Sequence, residues 1–208
     1  MFSKSWRVHA PLKTRLVKQR QMMSLMEKEM VIATGDLVFD NENWVKMWVD
    51  TGHGIIGDDG TSVAYRGIDL NAQLLWLVRR PKLSHGYHST ATSPFDAISE
   101  ARTAWAERAR VRSRWPMVRQ IARDLLTGKQ NFDVTREDAR KSALCGVGID
   151  AFMTRLLMPD KQVISGRMAA SLMVIEPQLG FVINTAYERA LTEGKALAPD
   201  AAQALQPV

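Results

Sequence analysis

Between Ser93 and Gly194 the chain is cut at close intervals by residues that start and stop helices. Ser93-Pro94 opens one helix. The serine hydroxyl caps free amides, and a proline in the first turn has no N–H to leave unpaired. Pro116 breaks or kinks that helix near Arg114-Trp115. A second helix, striped by Met117, Val118, Ile121, Ala122 and Leu125, ends at Gly128 as a C-cap. Thr135 caps the next, with Asp138 in the first turn where the helix dipole favours an acid. Cys145-Gly146-Val147-Gly148 reads as a turn, followed by a helix from Ile149 to Met158 that Pro159 stops. Ser165 caps a helix to about Ile175. Pro177 starts the last helix, with Leu179, Val182, Ile183, Ala186, Tyr187 and Ala190 on one face, and Gly194 ends it. Short helices joined by tight turns must bury their stripes on one another, so residues 93–194 are expected to be a bundle-like helical region.

The segment from Asp36 to Gly67 has a different period. Val45, Met47 and Val49 point one way along a strand, and Trp44, Lys46 and Trp48 the other. Thr61 to Arg66 alternates again through Val63 and Tyr65. Between them Thr51 to Gly60 is dense in turn formers, which predicts a β-hairpin with a long or bulged loop, and a short strand is expected at Leu37–Phe39. Two strands alone are marginal, so this ribbon must pack on helices. Leu70 to Arg80 reads as a helix with Asp69 as its N-cap and Leu74, Leu75, Leu77 and Val78 buried. Pro81 to Thr92 reads as a loop and as the boundary between the halves. A methionine-rich helix with Met22, Met23, Met26 and Met30 is expected from Thr14 to about Ala33.

The expected fold class is therefore mainly α within α+β: a bundle-like helical C-terminal half and a small antiparallel β-ribbon in the N-terminal half. The expected organisation is a basic N-terminal arm over 1–13, an α+β region over 14–82, a helical region over 93–194 and a flexible tail over 195–208. With 208 residues, 46% of them hydrophobic, the chain can build one good core or two small ones.

Charge points to the partner. Ser93 to Lys129 holds seven arginines and one lysine against four acids, interleaved with Trp105 and Trp115. The net charge of +6 favours polyanions. Arginine forks donate bidentately to phosphate, so Arg102, Arg108, Arg110, Arg112, Arg114, Arg119 and Arg123 are the candidate nucleic-acid-binding residues. The competing reading has their stems covering apolar surface and their heads paired with Glu100, Glu107 and Asp124. Phe95, Ile98, Ala101, Trp105 and Ala109 form the stripe of the helix that Ser93 opens, which makes Trp105 structural. Thr135–Met158 approximates a helix-turn-helix through Ala139, Ala143, Gly146, Ile149 and Phe152. Its second helix offers base edges only Asp150, Thr154 and Arg155, so it reads as a structural pair.

No catalytic, cofactor or metal pattern is legible. His85 and His88 are spaced HxxH, and His53 sits in a glycine loop near Asp50, Asp58 and Asp59, but exposed loop positions account for all three. Cys145 is the only cysteine, in an apolar setting that suits a buried structural thiol. No apolar run approaches membrane-span length, and residues 1–26, which are basic and lack acids, read as an arm rather than a transit peptide. The expectation is a cytoplasmic, non-enzymatic regulator, without cofactor, metal or membrane. Its partner would be nucleic acid, DNA before RNA, or an acidic protein partner such as the transcription machinery. The alternatives are an assembly subunit that uses the methionine-rich and Ile149–Met158 helices, and a metal-dependent enzyme that uses the histidine and acid loops.

Overall fold

The structure is a computed structural model that describes residues 37–40, 45–83 and 85–196. The basic arm, the methionine-rich helix, Trp44 and the tail beyond 196 lie outside the described residues. The chain divides into two compact units, Met1–Ala101 and Arg102–Val208.

The first unit holds a five-stranded antiparallel sheet whose strands pair in sequence order: β1 (Leu37–Asp40), β2 (Met47–Ile56), β3 (Val63–Asp69), β4 (Leu74–Arg79) and β5 (Tyr87–Ser89). The class is thus α+β with a substantial sheet, and the mainly helical expectation holds only for the second half. The expected strand at Leu37–Phe39 is β1, and the expected hairpin is β2–β3. Its long loop is mostly strand: β2 continues to Ile56, with a bulge between Val49 and Gly54 where the register shifts. Gly57 to Ser62 makes the turn. There Asp59 accepts from the amides of Thr61 and Ser62 and from the Ser62 hydroxyl. Burial alone would raise the Asp59 pKa, and those donors outweigh it and hold the carboxyl well below its usual range.

Two expectations fail here. Leu70–Arg80 is not a helix. The Asp69 side chain accepts from the amides of Asn71 and Gln73, and Ala72 adopts a φ of 62°, so residues 70–73 form the turn that joins β3 to β4. Leu74 to Arg79 then pairs with β3 through six residues, from Leu74 opposite Ile68 to Arg79 opposite Val63. A short apolar run fits a strand or a helix equally, and the turn before it decides the outcome. Second, Pro81–Thr92 contains a strand, β5, and His88 on that strand is 4% exposed rather than at a loop surface.

The sheet curls tightly. Flat neighbouring strands lie about 4.8 Å apart, so β1 and β4 would sit about 14 Å apart, which an arginine and an aspartate span only when both lie fully extended along the sheet face. Yet Arg79 Nη2 on β4 lies 2.7 Å from Asp40 Oδ2 on β1, with both side chains buried. His88 shares this interior. Burial pushes its imidazole down to about 4, while Asp40 pulls the value up and Arg79 pulls it down. The unfolded chain binds that proton at the ordinary value of 6.5, so the neutral ring stabilises the fold fully above pH 6.5, and this contribution is lost as pH falls towards 4. The urea midpoint of the wild type is expected to fall between pH 6.5 and 5 more steeply than that of His88→Gln.

Helix α1 (Pro94–Arg112) runs through the division between the units, and its first amides turn on Ser93 as expected. Its buried positions are Ala97, Ile98, Ala101, Ala104, Trp105 and Val111, whereas Phe95, which the sequence placed on that stripe, is 60% exposed. The second unit continues with α2 (Trp115–Thr127), β6 (Asp133–Thr135), α3 (Arg136–Lys141), α4 (Gly146–Arg155), β7 (Val163–Ser165), α5 (Gly166–Ile175) and α6 (Leu179–Thr192). The cap signals hold. Pro116 lies in the first turn of α2, and Gly128 closes that helix at φ 78°. Thr135 and Asp138 form a reciprocal capping box, and the Ser165 hydroxyl accepts from the Met168 amide. Cys145 differs from expectation: it is half-buried, its Sγ caps α4 at the Gly148 amide, and Gly146 to Gly148 form the first helical turn. The core of this unit joins Ile121, Ala122 and Leu125 of α2 to Phe132, Val134, Ala169, Ala170 and the stripe of α6.

Candidate nucleic-acid interface

Among the described residues, positive charge is concentrated in the second unit. Residues 102–196 contain twelve arginines and four lysines against ten acids, whereas residues 37–101 contain five bases against eight acids. The seven candidate arginines all belong to the positive part, and the fold sorts them into two groups.

Arg108, Arg110 and Arg114 have intramolecular roles. Arg108 donates from Nε to the Ala143 carbonyl at 3.1 Å and from Nη2 to Gln178 at 3.2 Å, with its guanidinium over the Phe181 ring. Arg110 forks onto Glu107 and also onto Glu188. Arg114 donates to the same Glu188. Burial would raise the Glu188 pKa, but the hydrogen bonds from Arg110 and Arg114 prevail and hold it below the usual glutamate range. The paired carboxylates in turn push Arg110 further up, so it keeps its charge throughout.

Arg112, Arg119 and Arg123 are exposed, and none has a hydrogen-bond or ion-pair partner among the described residues. Arg119 and Arg123 are four apart on α2 and so share one flank of it. The buried stripe of Val118, Ile121, Ala122 and Leu125 fixes that flank outward. On the opposite flank Gln120 donates to Asp124, so that acid faces away from the arginines. Arg112 ends α1, where a helix C-terminus favours a cation. Arg102 is also exposed, at the start of the unit. Of the local partners expected for these arginines only Glu107 serves. Glu100 instead accepts from Ser89, and Asp124 from Gln120.

Trp48 is buried, with its ring 4.8 Å from that of Phe39, while Lys46 is exposed. The helices of the helix-turn-helix reading, α3 and α4, are in contact, and Arg136 of α3 pairs with Asp150, one of the three polar side chains that the second helix offers. His53 is exposed and meets Asp50 at 3.0 Å, while His88 lies in the sheet interior. Among the described residues no three His, Cys, Asp or Glu side chains are placed to hold a metal ion. No described helix is long and apolar enough to cross a membrane. Comparison with family models, with curated proteins and with solved structures finds no match to this chain.

Proposed function

We propose that the protein is a non-enzymatic regulator that contacts nucleic acid, DNA before RNA, through Arg112, Arg119 and Arg123. The observation that carries this reading is that these three guanidinium groups are exposed and have no partner among the described residues, whereas Arg110, Arg114, Arg136 and Arg189 of the same unit are ion-paired. An unpaired arginine on a rigid helix keeps both its charge and its planar donor fork for a phosphate.

The test is the salt dependence of DNA binding. Replacing Arg112, Arg119 and Arg123 by glutamine should lower the slope of log affinity against log salt by up to about three, near one per lost phosphate contact. Glutamine at Arg108, Arg110 and Arg114 should leave the slope unchanged and lower the melting temperature. An unchanged slope in the first variant, with the fold intact, removes this surface from binding.

A second reading, an assembly subunit, is supported by exposed apolar side chains in the same unit. Leu157 is 88% exposed, Val174 79% and Ile175 78%. A partner held there would bind with little response to salt, in contrast to a phosphate backbone.

A further inference from the structure

The helical unit is built from two helix–loop–helix units, α2–α3 and α4–α5, whose loops end in the ribbon of β6 and β7. Asp133 pairs with Ser165, Val134 with Ile164 and Thr135 with Val163. Two helix–loop–helix units side by side, each with a loop of calcium-binding length, have the connectivity of paired EF-hands. In such a twelve-residue loop the final position carries a carboxylate that turns back onto the cation, and position seven offers its backbone carbonyl. Asp138 turns back in this way, accepting from the Thr135 amide and hydroxyl. Counting back from it, the first loop is residues 127–138, and Asp133 takes position seven.

We propose that the guanidinium of Arg189 occupies the place of the cation in this loop, as a permanent, covalently supplied substitute for a divalent metal. Arg189 reaches in from α6 and addresses both groups that a calcium ion would. Its Nη2 donates to the Asp133 carbonyl at 2.8 Å. Its Nε and Nη2 donate to the two oxygens of Asp138 at 2.8 and 3.0 Å. The Asp138 side chain is 2% exposed, so its charge depends on that partner.

Most of the rest of the loop has lost its metal chemistry. Position one is Thr127, whose hydroxyl donates back to the carbonyls of Arg123 and Asp124. Lys129 stands at position three, and Asn131 at position five keeps a ligand type. Position six, where a sharp turn wants glycine, is Phe132, buried in the core with its ring 6.0 Å from that of Tyr187. The ribbon register equates Asp138 with Met168, so the second loop is residues 157–168, with Leu157, Pro159 and Lys161 at the first three ligand positions. Neither loop can assemble the oxygen donors that calcium needs. Arg189 also ties the first loop to α6, which packs against α2, α3 and α5. The helical unit is thus a fixed scaffold rather than a calcium switch, and Arg189 is the positioning residue of its ribbon. This inference is independent of the nucleic-acid reading.

Hydrogen exchange of the full chain tests it. In the wild type, millimolar calcium or magnesium in place of a chelator should change neither the melting temperature nor exchange at residues 133–136 and 163–166. Arg189→Met should speed exchange there by about tenfold or more, less than the loss of a fully buried pair because Arg189 is itself partly exposed, while the sheet unit keeps its protection. Adding Asp138→Asn to that variant should restore most of the protection, because no uncompensated carboxylate remains. Should Arg189→Met fail to fold, Arg189→Lys, which keeps the charge but not the fork, should give intermediate exchange at the same residues. Calcium- or magnesium-dependent protection of the wild type, unchanged exchange in both Arg189 variants, or a double variant no better protected than the single one would each overturn the proposal.

Discussion

Arg79→Met is expected to destabilise the sheet unit by about 3–5 kcal/mol, the cost of leaving one member of a buried ion pair uncompensated. Arg79 is 4% exposed and Asp40 is 4% exposed. Their contact spans 39 residues and joins the first strand to the fourth. Removing the guanidinium leaves the Asp40 carboxylate in the sheet interior beside His88, whose ring burial keeps neutral. The chain can then open the curl of the sheet to water or unfold. The second variant, Asp40→Leu with Arg79→Met, removes both charges and is expected to recover most of the loss, because a buried pair replaced by apolar groups of similar volume is often neutral or stabilising. Urea unfolding of the three proteins measures both effects. A loss below about 1 kcal/mol for Arg79→Met would place the pair in the class of exposed salt bridges.

The same contact shows where the sequence stops being informative. Helix boundaries in the second half are local facts. The cap at Thr135, the αL glycine at Gly128 and the serine at Ser165 act within four residues of themselves, so their residue types announce them. The strands at Asp133–Thr135 and Val163–Ser165 are three residues long and carry no period; they exist because each finds the other. Leu74–Arg79 has the composition of a buried helix turn. It is a strand because Asp69 and a left-handed Ala72 fold the preceding residues into a hairpin. Alanine at that position is not a turn signal, and the true cause is a side chain five residues upstream of the strand.

The arginines divide along the same line. The bond between Arg110 and Glu107 spans three residues and is legible from spacing. The capture of Arg110 and Arg114 by Glu188 spans 78 and 74 residues, and Arg108 reaches Ala143 over 35. Charge density marks the region, but only tertiary structure separates arginines that hold the fold from those left exposed. Arg189 is the extreme case. It is isolated in a helix otherwise read as apolar, and its role depends on a loop carbonyl 56 residues away.

Phe132→Ala is expected to cost the helical unit about 3–5 kcal/mol, the range for truncating a buried aromatic to alanine. The ring is 5% exposed and belongs to the main core of the unit, against Tyr187. Its backbone is committed too: the Phe132 carbonyl accepts from the Gly166 amide at the start of α5, and a Cβ on Gly166 would lie 2.3 Å from that oxygen. The loop is therefore clamped on both sides, so the cavity left by the ring cannot collapse by moving the main chain, and the cost falls toward the upper end of the range. Phe95→Ala supplies the contrast. That ring is 60% exposed and should change stability by less than about 0.5 kcal/mol. Chemical denaturation of the two variants separates a core residue that composition alone did not mark from a surface residue that helical periodicity placed inside. Equal losses would mean that Phe95 is covered in the folded protein, and that the stripe read from the sequence is the correct face of α1.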